Sequence, residues 1–174
     1  MLNFRIRRAN AADAAELSLV GGASFLETFA DEFGGRDIVA HVEEKLSQAA
    51  FRQLIEDEGA RAWLVEQCET NAPLGYALVT TPELPVPTTD RDMELRRIYF
   101  LSRCHGTGAA AALLHEIITD VRDMGAYRLL LGVYAGNDRA AGFYSKHGFK
   151  KIGDRAYKIG SRTYDDHLYA LDLN

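Results

Sequence analysis

Apolar and polar positions change their period several times along this chain, and each change marks an element. Phe4 to Arg7 alternates and predicts a first strand. From residue 11 to 30 apolar side chains return at helical spacing. That predicts a long helix, bent or split at the interrupting pair Gly21-Gly22. Asp31 to Asp37 is a glycine-containing turn. Ile38 to Leu46 and Ala49 to Glu58 predict two further helices, with Ser47 placed to cap the second. Ala62 to Cys68 and Leu74 to Val79 flank Thr70-Asn71-Ala72-Pro73 and predict an antiparallel hairpin. Residues 81 to 92 hold three of the four prolines and read as a loop.

The second half has a different rhythm. Met93 to Phe100 predicts a strand. Gly106 to Gly108 opens a long helix whose apolar face carries Ala110, Leu113, Leu114, Ile117, Ile118 and Val121. Tyr127 to Val133 predicts an apolar strand. Strand, helix and strand in that order make a βαβ unit with a buried parallel pair. Asn137 to His147 predicts another helix, ended by Gly148. Two strands close the chain, near Phe149 to Ile159 and His167 to Leu173, joined around Gly160-Ser161. The expectation is an α/β fold: one domain over residues 1–174, a mixed central β-sheet and helices on both faces.

Composition excludes several classes. With 174 residues, 47% hydrophobic and 26% charged, the chain can bury a sizeable core. Its net charge of −5 suits neither nucleic acid nor an anionic membrane surface. No apolar run is long enough to span a bilayer, and the first residues lack the apolar stretch of a secretory signal. Cys68 and Cys104 cannot build a disulfide framework. A cytoplasmic location is expected. The five histidines are scattered, with no metal-ligand spacing and no Cys-x-x-Cys, so no metal is expected.

Arg103-Cys104-His105-Gly106-Thr107-Gly108 sits at a strand-to-helix junction. Glycines there let the backbone turn sharply and expose consecutive N–H groups at the positive end of a helix, a site for phosphate. An ordinary tight turn has the same look. The dinucleotide fingerprint lacks its third glycine, because Ala111 holds that place, and no Gly-Lys-Ser/Thr of a P-loop is present. About 30 residues on lies Asn137-x-x-Ala140-x-x-Phe143-Tyr144-x-x-x-Gly148-Phe149.

Together the two segments resemble the signature motifs of the GNAT superfamily of acyl-CoA N-acyltransferases over residues 93 to 150, in the expected order. Glu94-Leu-Arg-Arg-Ile-Tyr and the late Tyr157-Lys-Ile-Gly with Asp165-Asp166 resemble bacterial spermidine/spermine-type acetyltransferases. The resemblance implies acetyl-CoA as co-substrate. Backbone groups of Ile98, Tyr99 and Phe100 would pair with its pantetheine arm. The turn from Arg103 and His105 through Gly106, Thr107, Gly108 and Ala109 would hold its pyrophosphate. Asn137 would contact the arm or cap its helix, and Lys146, with Arg139, would reach the 3′-phosphate region. A backbone N–H near Tyr99 would stabilise the oxyanion. Glu94 is the expected base, directly or through water, and Tyr144 the expected acid. A base helps because a primary amine of pKa about 10.4 is neutral in roughly one part in 10³ to 10⁴ at pH 7.

The expected acceptor is a small-molecule amine such as a polyamine. A pocket built by the first helices and the loop at 82 to 92 would present Phe25, Glu27, Phe29, Asp31, Glu32 and Phe33. Two departures stand out. Arg96 replaces an acid found in polyamine-type relatives, and Tyr134 stands near where many relatives carry tryptophan. A protein N-terminus or lysine is the second reading of the acceptor. A non-catalytic acyl-CoA sensor is a third reading of the whole chain, and a homodimer through the late strands is open.

Overall fold

The computed structural model describes residues 2–160 and 162–173. Seven strands form one sheet: β1 (Phe4–Ala9), β2 (Arg61–Gln67), β3 (Pro73–Thr80), β4 (Asp92–Phe100), β5 (Arg128–Tyr134), β6 (Lys150–Ile159) and β7 (Arg162–Asp172). Their spatial order is β1-β2-β3-β4-β5-β7-β6. Among the described residues there are also five α-helices, α1 (Ala14–Phe29), α2 (Gly35–Lys45), α3 (Gln48–Ile55), α4 (Ala109–Asp123) and α5 (Asp138–Lys146), and two short 3-10 helices, Ala11–Asp13 and Ser102–Cys104. The turn expected around Gly160-Ser161 is described at Gly160 only, since Ser161 lies outside the described residues.

Alternation along the strands divides the core between two faces. Leu17, Val20, Phe25, Phe29, Phe51, Leu64, Tyr76 and Leu78 join α1 to α3 on one face. Leu113, Leu114, Ile117, Val121, Leu95, Leu129, Leu131 and Tyr144 join α4 and α5 on the other. Burying side chains of this size stabilises the fold by about 1.5–3 kcal/mol each. β4 and β5 are parallel, bridged by α4, while the other neighbours pair antiparallel. Ser47 caps α3, its Oγ accepting from the Ala50 N–H at 3.3 Å.

The expected bend at Gly21-Gly22 is corrected: α1 runs through both glycines as one helix. They serve close packing instead. A Cβ on Gly21 would come 3.3 Å from the Phe51 ring, and one on Gly22 would sit 3.4 Å from Val42. The glycines thus let α2 and α3 approach α1.

Gly75 plays a similar part inside the sheet. It faces Phe100 across the β3–β4 ladder, and a Cβ there would overlap the Phe100 ring. Gly75→Ala should lower stability by about 1–3 kcal/mol by overpacking. A denaturant midpoint unchanged from the wild type would show that the ring can move aside freely.

Candidate active site

The site begins with a strand that is paired on one side only. β4 pairs with β3 from Glu94 to Phe100, yet its parallel register with β5 runs from Asp92↔Arg128 to Glu94↔Leu130 and stops. Asp92 and Arg128 clamp the closed end, with N···O distances of 2.6 and 2.9 Å. Beyond it β5 follows β7 in register out to Tyr134↔Asp166. The backbone of β4 past Glu94 is therefore left open towards β5. A cleft of about 400 Å³ fills the gap, lined by Ile98, Tyr99, Phe100, His105, Gly106, Gly108, Asn137, Arg139, Tyr144 and Lys146 among others.

The glycine turn closes one end of this cleft. Gly106 and Gly108 adopt φ of +75° and +88°, where a side chain would be strained. Gly108 precedes α4 without a side chain to cap it; the Ala109 N–H donates to Thr107 Oγ1 at 3.4 Å, which leaves the next first-turn N–H groups, of Ala110 and Ala111, for an anion. Glu27 ties α1 to the turn: its carboxylate accepts from the Ser102 N–H at 2.6 Å. Thr107 braces the turn by donating to the Cys104 carbonyl at 2.7 Å. Arg139 donates to His105 Nδ1 at 2.6 Å. Burial and then Arg139 hold the His105 imidazole below its ordinary pKa. Arg103 is exposed on the preceding turn, Ala109 is buried beneath the helix start, and neither they nor Thr107 lines the cleft.

α5 supplies the opposite wall. Asn137 caps it, Oδ1 accepting from the Ala140 N–H at 3.1 Å, while also lining the cleft, so the two roles weighed for it are compatible. Tyr144 stands between Phe143 and Phe149, with centroids 5.3 and 5.4 Å away. Burial pushes its phenol well above the usual tyrosine range, so it keeps its proton at neutral pH.

A second pocket of about 530 Å³ opens on the other face of β4, and Tyr99 lines both. A β-bulge creates it. Leu78 pairs with Arg97 and Val79 with Leu95, which leaves Arg96 as the extra residue. Before the bulge Met93 and Leu95 face the α4 core; after it Ile98 and Phe100 do. Glu94, Arg96, Arg97 and Tyr99 consequently share the pocket face. Glu94 is only 5% exposed and accepts from the Glu83 N–H at 2.8 Å. The Glu83 carboxylate pairs with Arg96 at 2.6 Å, so one loop residue clasps two strand side chains.

The expected carboxylate-and-aromatic wall is half corrected. Phe25, Phe29 and Phe33 do line the pocket, with Phe29 and Phe33 stacked at 4.5 Å. Glu27, Asp31 and Glu32 do not: Glu27 holds the Ser102 N–H, and Glu32 accepts from the hydroxyl of the lining residue Tyr134 at 3.4 Å. Of the loop at 82 to 92 only Glu83 reaches the pocket. Sequence reasoning found the late strands but missed their place in the pocket, where they bring Arg155, Tyr157, Lys158, Tyr164 and Asp166. Asp166 pairs with Arg155 at 3.0 Å. Tyr134, the residue near the expected tryptophan, packs against Phe29, Phe33 and Tyr164. Its ring fills the space where a Cβ on Gly136 would lie, 2.6 Å away. Among the described residues no group of three or more His, Cys, Asp or Glu could hold a metal ion. No helix is long and apolar enough to cross a membrane.

A mixed sheet opened between its parallel strands, with a bare helix N-terminus at one end and a second pocket behind, is the GNAT fold. The model for the acetyltransferase (GNAT) family matches residues 23–149, and the chain belongs to that family of N-acetyltransferases. A Mycobacterium tuberculosis protein named as an uncharacterised N-acetyltransferase is 35% identical over 161 residues, spanning 92% of this chain and 98% of that relative. Among solved structures, the PaiA N-acetyltransferase from Thermoplasma acidophilum in complex with coenzyme A aligns with TM-score 0.79 at 20% identity, over 98% of this chain and 99% of that one. The ribosomal-protein-S18-alanine N-acetyltransferase from Escherichia coli aligns with TM-score 0.72 at 17% identity, over 98% and 94%.

His41 reports on the second pocket. It stacks on Phe25 at 4.3 Å, and burial, then Arg97 and Lys45, lower its pKa from 6.5 to about 4. Between those values the unfolded chain binds the proton more readily, so stability is lost as pH falls from about 6.5 towards 4. Replacing the imidazole in His41→Phe should flatten that part of the melting-temperature profile. Parallel profiles for wild type and variant would refute the assignment.

Proposed function

We propose that this chain transfers the acetyl group of acetyl-CoA to the primary amine of a small molecule in the cytoplasm. One observation carries the reading: a single strand, β4, offers open backbone to one cleft and Glu94 to a second pocket, with Tyr99 between them. The residues present fit the donor. An unpaired strand edge suits the amides of a pantetheine arm, the start of α4 suits a pyrophosphate, and Arg139 and Lys146 suit a further phosphate. The coenzyme A held by the Thermoplasma relative supports the same reading, and two free cysteines suit a reducing compartment.

Acetyl-CoA supplies an activated acyl group; the protein supplies position and proton transfer. Glu94, buried and oriented by the Glu83 N–H, takes the proton released by the attacking amine, directly or through one water. A backbone N–H near Tyr99 steadies the negative charge on the carbonyl oxygen. Tyr144, kept protonated by burial, gives its proton to the departing thiolate. A 530 Å³ pocket is the size of a small-molecule site rather than a peptide groove. A polyamine, the acceptor suggested by the sequence pattern, would bring several positive charges to a wall holding five permanent cations against three carboxylates.

Release of free thiol from acetyl-CoA against a panel of amines tests the activity. Glu94→Gln and Tyr144→Phe should each lower kcat by about 10²–10⁴-fold while leaving acetyl-CoA affinity unchanged in calorimetry. Full turnover in both variants would remove these roles. Tight acetyl-CoA binding with no turnover on any amine would favour the sensor.

A further inference from the structure

Charges on the wall of the second pocket are mostly settled within the protein. Arg96 pairs with Glu83, Arg155 with Asp166 and Lys45 with Glu44, and Lys158 is exposed to water. Arg97 has none of these outlets. It is partly buried, forms no ion pair with a described carboxylate, and its Nη1 is shielded from solvent without a hydrogen-bond partner. Its guanidinium carbon lies 5.4 Å from the centroid of the Phe51 ring, a cation–π contact that offsets only part of the lost hydration. Glu94, three residues earlier, is engaged with the Glu83 N–H instead. The Tyr164 hydroxyl on the same wall is likewise buried without a partner. The bulge at Arg96 is what turns Arg97 to this face at all. Burial first, and Arg97 second, hold the His41 imidazole below its ordinary pKa.

We propose that Arg97 receives an anion brought by the acceptor, which is therefore a primary amine that also carries a carboxylate: an amino acid with a bulky apolar side chain. The proposal rests on the acetyl-transfer reading above and narrows its substrate. The amine lies towards Glu94, the carboxylate meets the guanidinium, and the side chain lies against Phe25, Phe29 and Phe33. Glu94 and Arg97 pair with Thr80 and Leu78, two residues apart on β3, which separates them by about 7 Å along the sheet at about 3.3 Å per residue, a span that two side chains and one small molecule can close. In the transfer the amine nitrogen forms its bond to the acyl carbon as the carbon–sulfur bond breaks. The amine proton leaves through Glu94, the thiolate takes a proton from Tyr144, and the carboxylate is unchanged. A guanidinium fork suits a carboxylate better than a point charge does.

Matched acceptors test this in the wild-type protein: L-phenylalanine against phenethylamine, L-leucine against isoamylamine, L-tryptophan against tryptamine, each scored by thiol release from acetyl-CoA. At least one amino acid should exceed its decarboxylated partner by about 10–100-fold in kcat/KM, the worth of a hydrogen-bonded charge pair. Arg97→Leu should erase that preference by lowering kcat/KM for the amino acid to the level of its decarboxylated partner, with the affinity for acetyl-CoA unchanged in calorimetry. Because a buried unpaired cation is lost, the variant should melt at the same temperature or higher without acceptor, and the amino acid should raise the melting temperature of the wild type alone. Equal turnover of acids and plain amines would overturn the proposal and leave acetyl transfer standing. A preference that survives in Arg97→Leu would overturn the assignment to Arg97. Bound acetyl-CoA with no amine of either kind acetylated would instead overturn the acetyl-transfer reading, and this proposal with it.

Discussion

A strand inside a sheet normally spends its backbone hydrogen bonds on two neighbours, and β4 beyond Glu94 spends them on one. The Asp92–Arg128 clamp holds β4 and β5 together where they begin, and the long antiparallel register with β7 draws β5 away afterwards. Backbone groups inside a protein must find partners, so a gap of this kind persists only if water or a ligand fills it. Everything else in the cleft is arranged around that opening. α4 starts beneath it with the N–H groups of Ala110 and Ala111, the glycine turn steers the chain there, and α5 carries Tyr144 across from it. Glu27 braces the assembly from the opposite layer by holding the Ser102 N–H.

The bulge at Arg96 is the second constraint, and it decides what the strand shows to its other face. One inserted residue shifts the alternation, so that two consecutive arginines, not one, turn towards the second pocket. Without it Arg97 would point into the apolar cluster under α4, where an unpaired guanidinium is costly. The same shift keeps Ile98 and Phe100 in that cluster and places Tyr99 between the two cavities. A single local irregularity thus sets the polarity of the acceptor wall and the packing of the donor cleft.

Much of this was legible in the chain. The strand-helix-strand period at 93 to 133 and the Gly106–Gly108 junction follow from local spacing, and they carry the parallel pair and the helix start at the end of the cleft. The bulge was not legible: Met93 and Leu95 alternate, but Ile98 to Leu101 is a continuous apolar run that fixes no face. Gly21-Gly22 misled because a glycine pair weakens a helix in isolation, whereas here Phe51 and Val42 fill the space beside it. The late strands were found, but their place in the pocket was not. Arg155, Tyr164 and Asp166 reach it because β7 inserts between β5 and β6, a pairing between distant segments that no local period encodes.

The electrostatics of the acceptor pocket follow from how each cation came to be there. Arg96 and Arg155 sit beside carboxylates delivered by a loop and by the next strand, so their charges are settled when the protein folds. Arg97 reaches the pocket through the bulge and meets an aromatic ring instead of an acid. A fold selected for stability alone would place a carboxylate within reach, or an apolar side chain in its stead. Glu94 could have served as that partner, being on the same face of the same strand, yet its carboxylate is drawn aside by the Glu83 N–H. That separation leaves the carboxylate and the guanidinium apart, as the proposed proton transfer and anion binding both require, an arrangement that a direct ion pair between them would abolish.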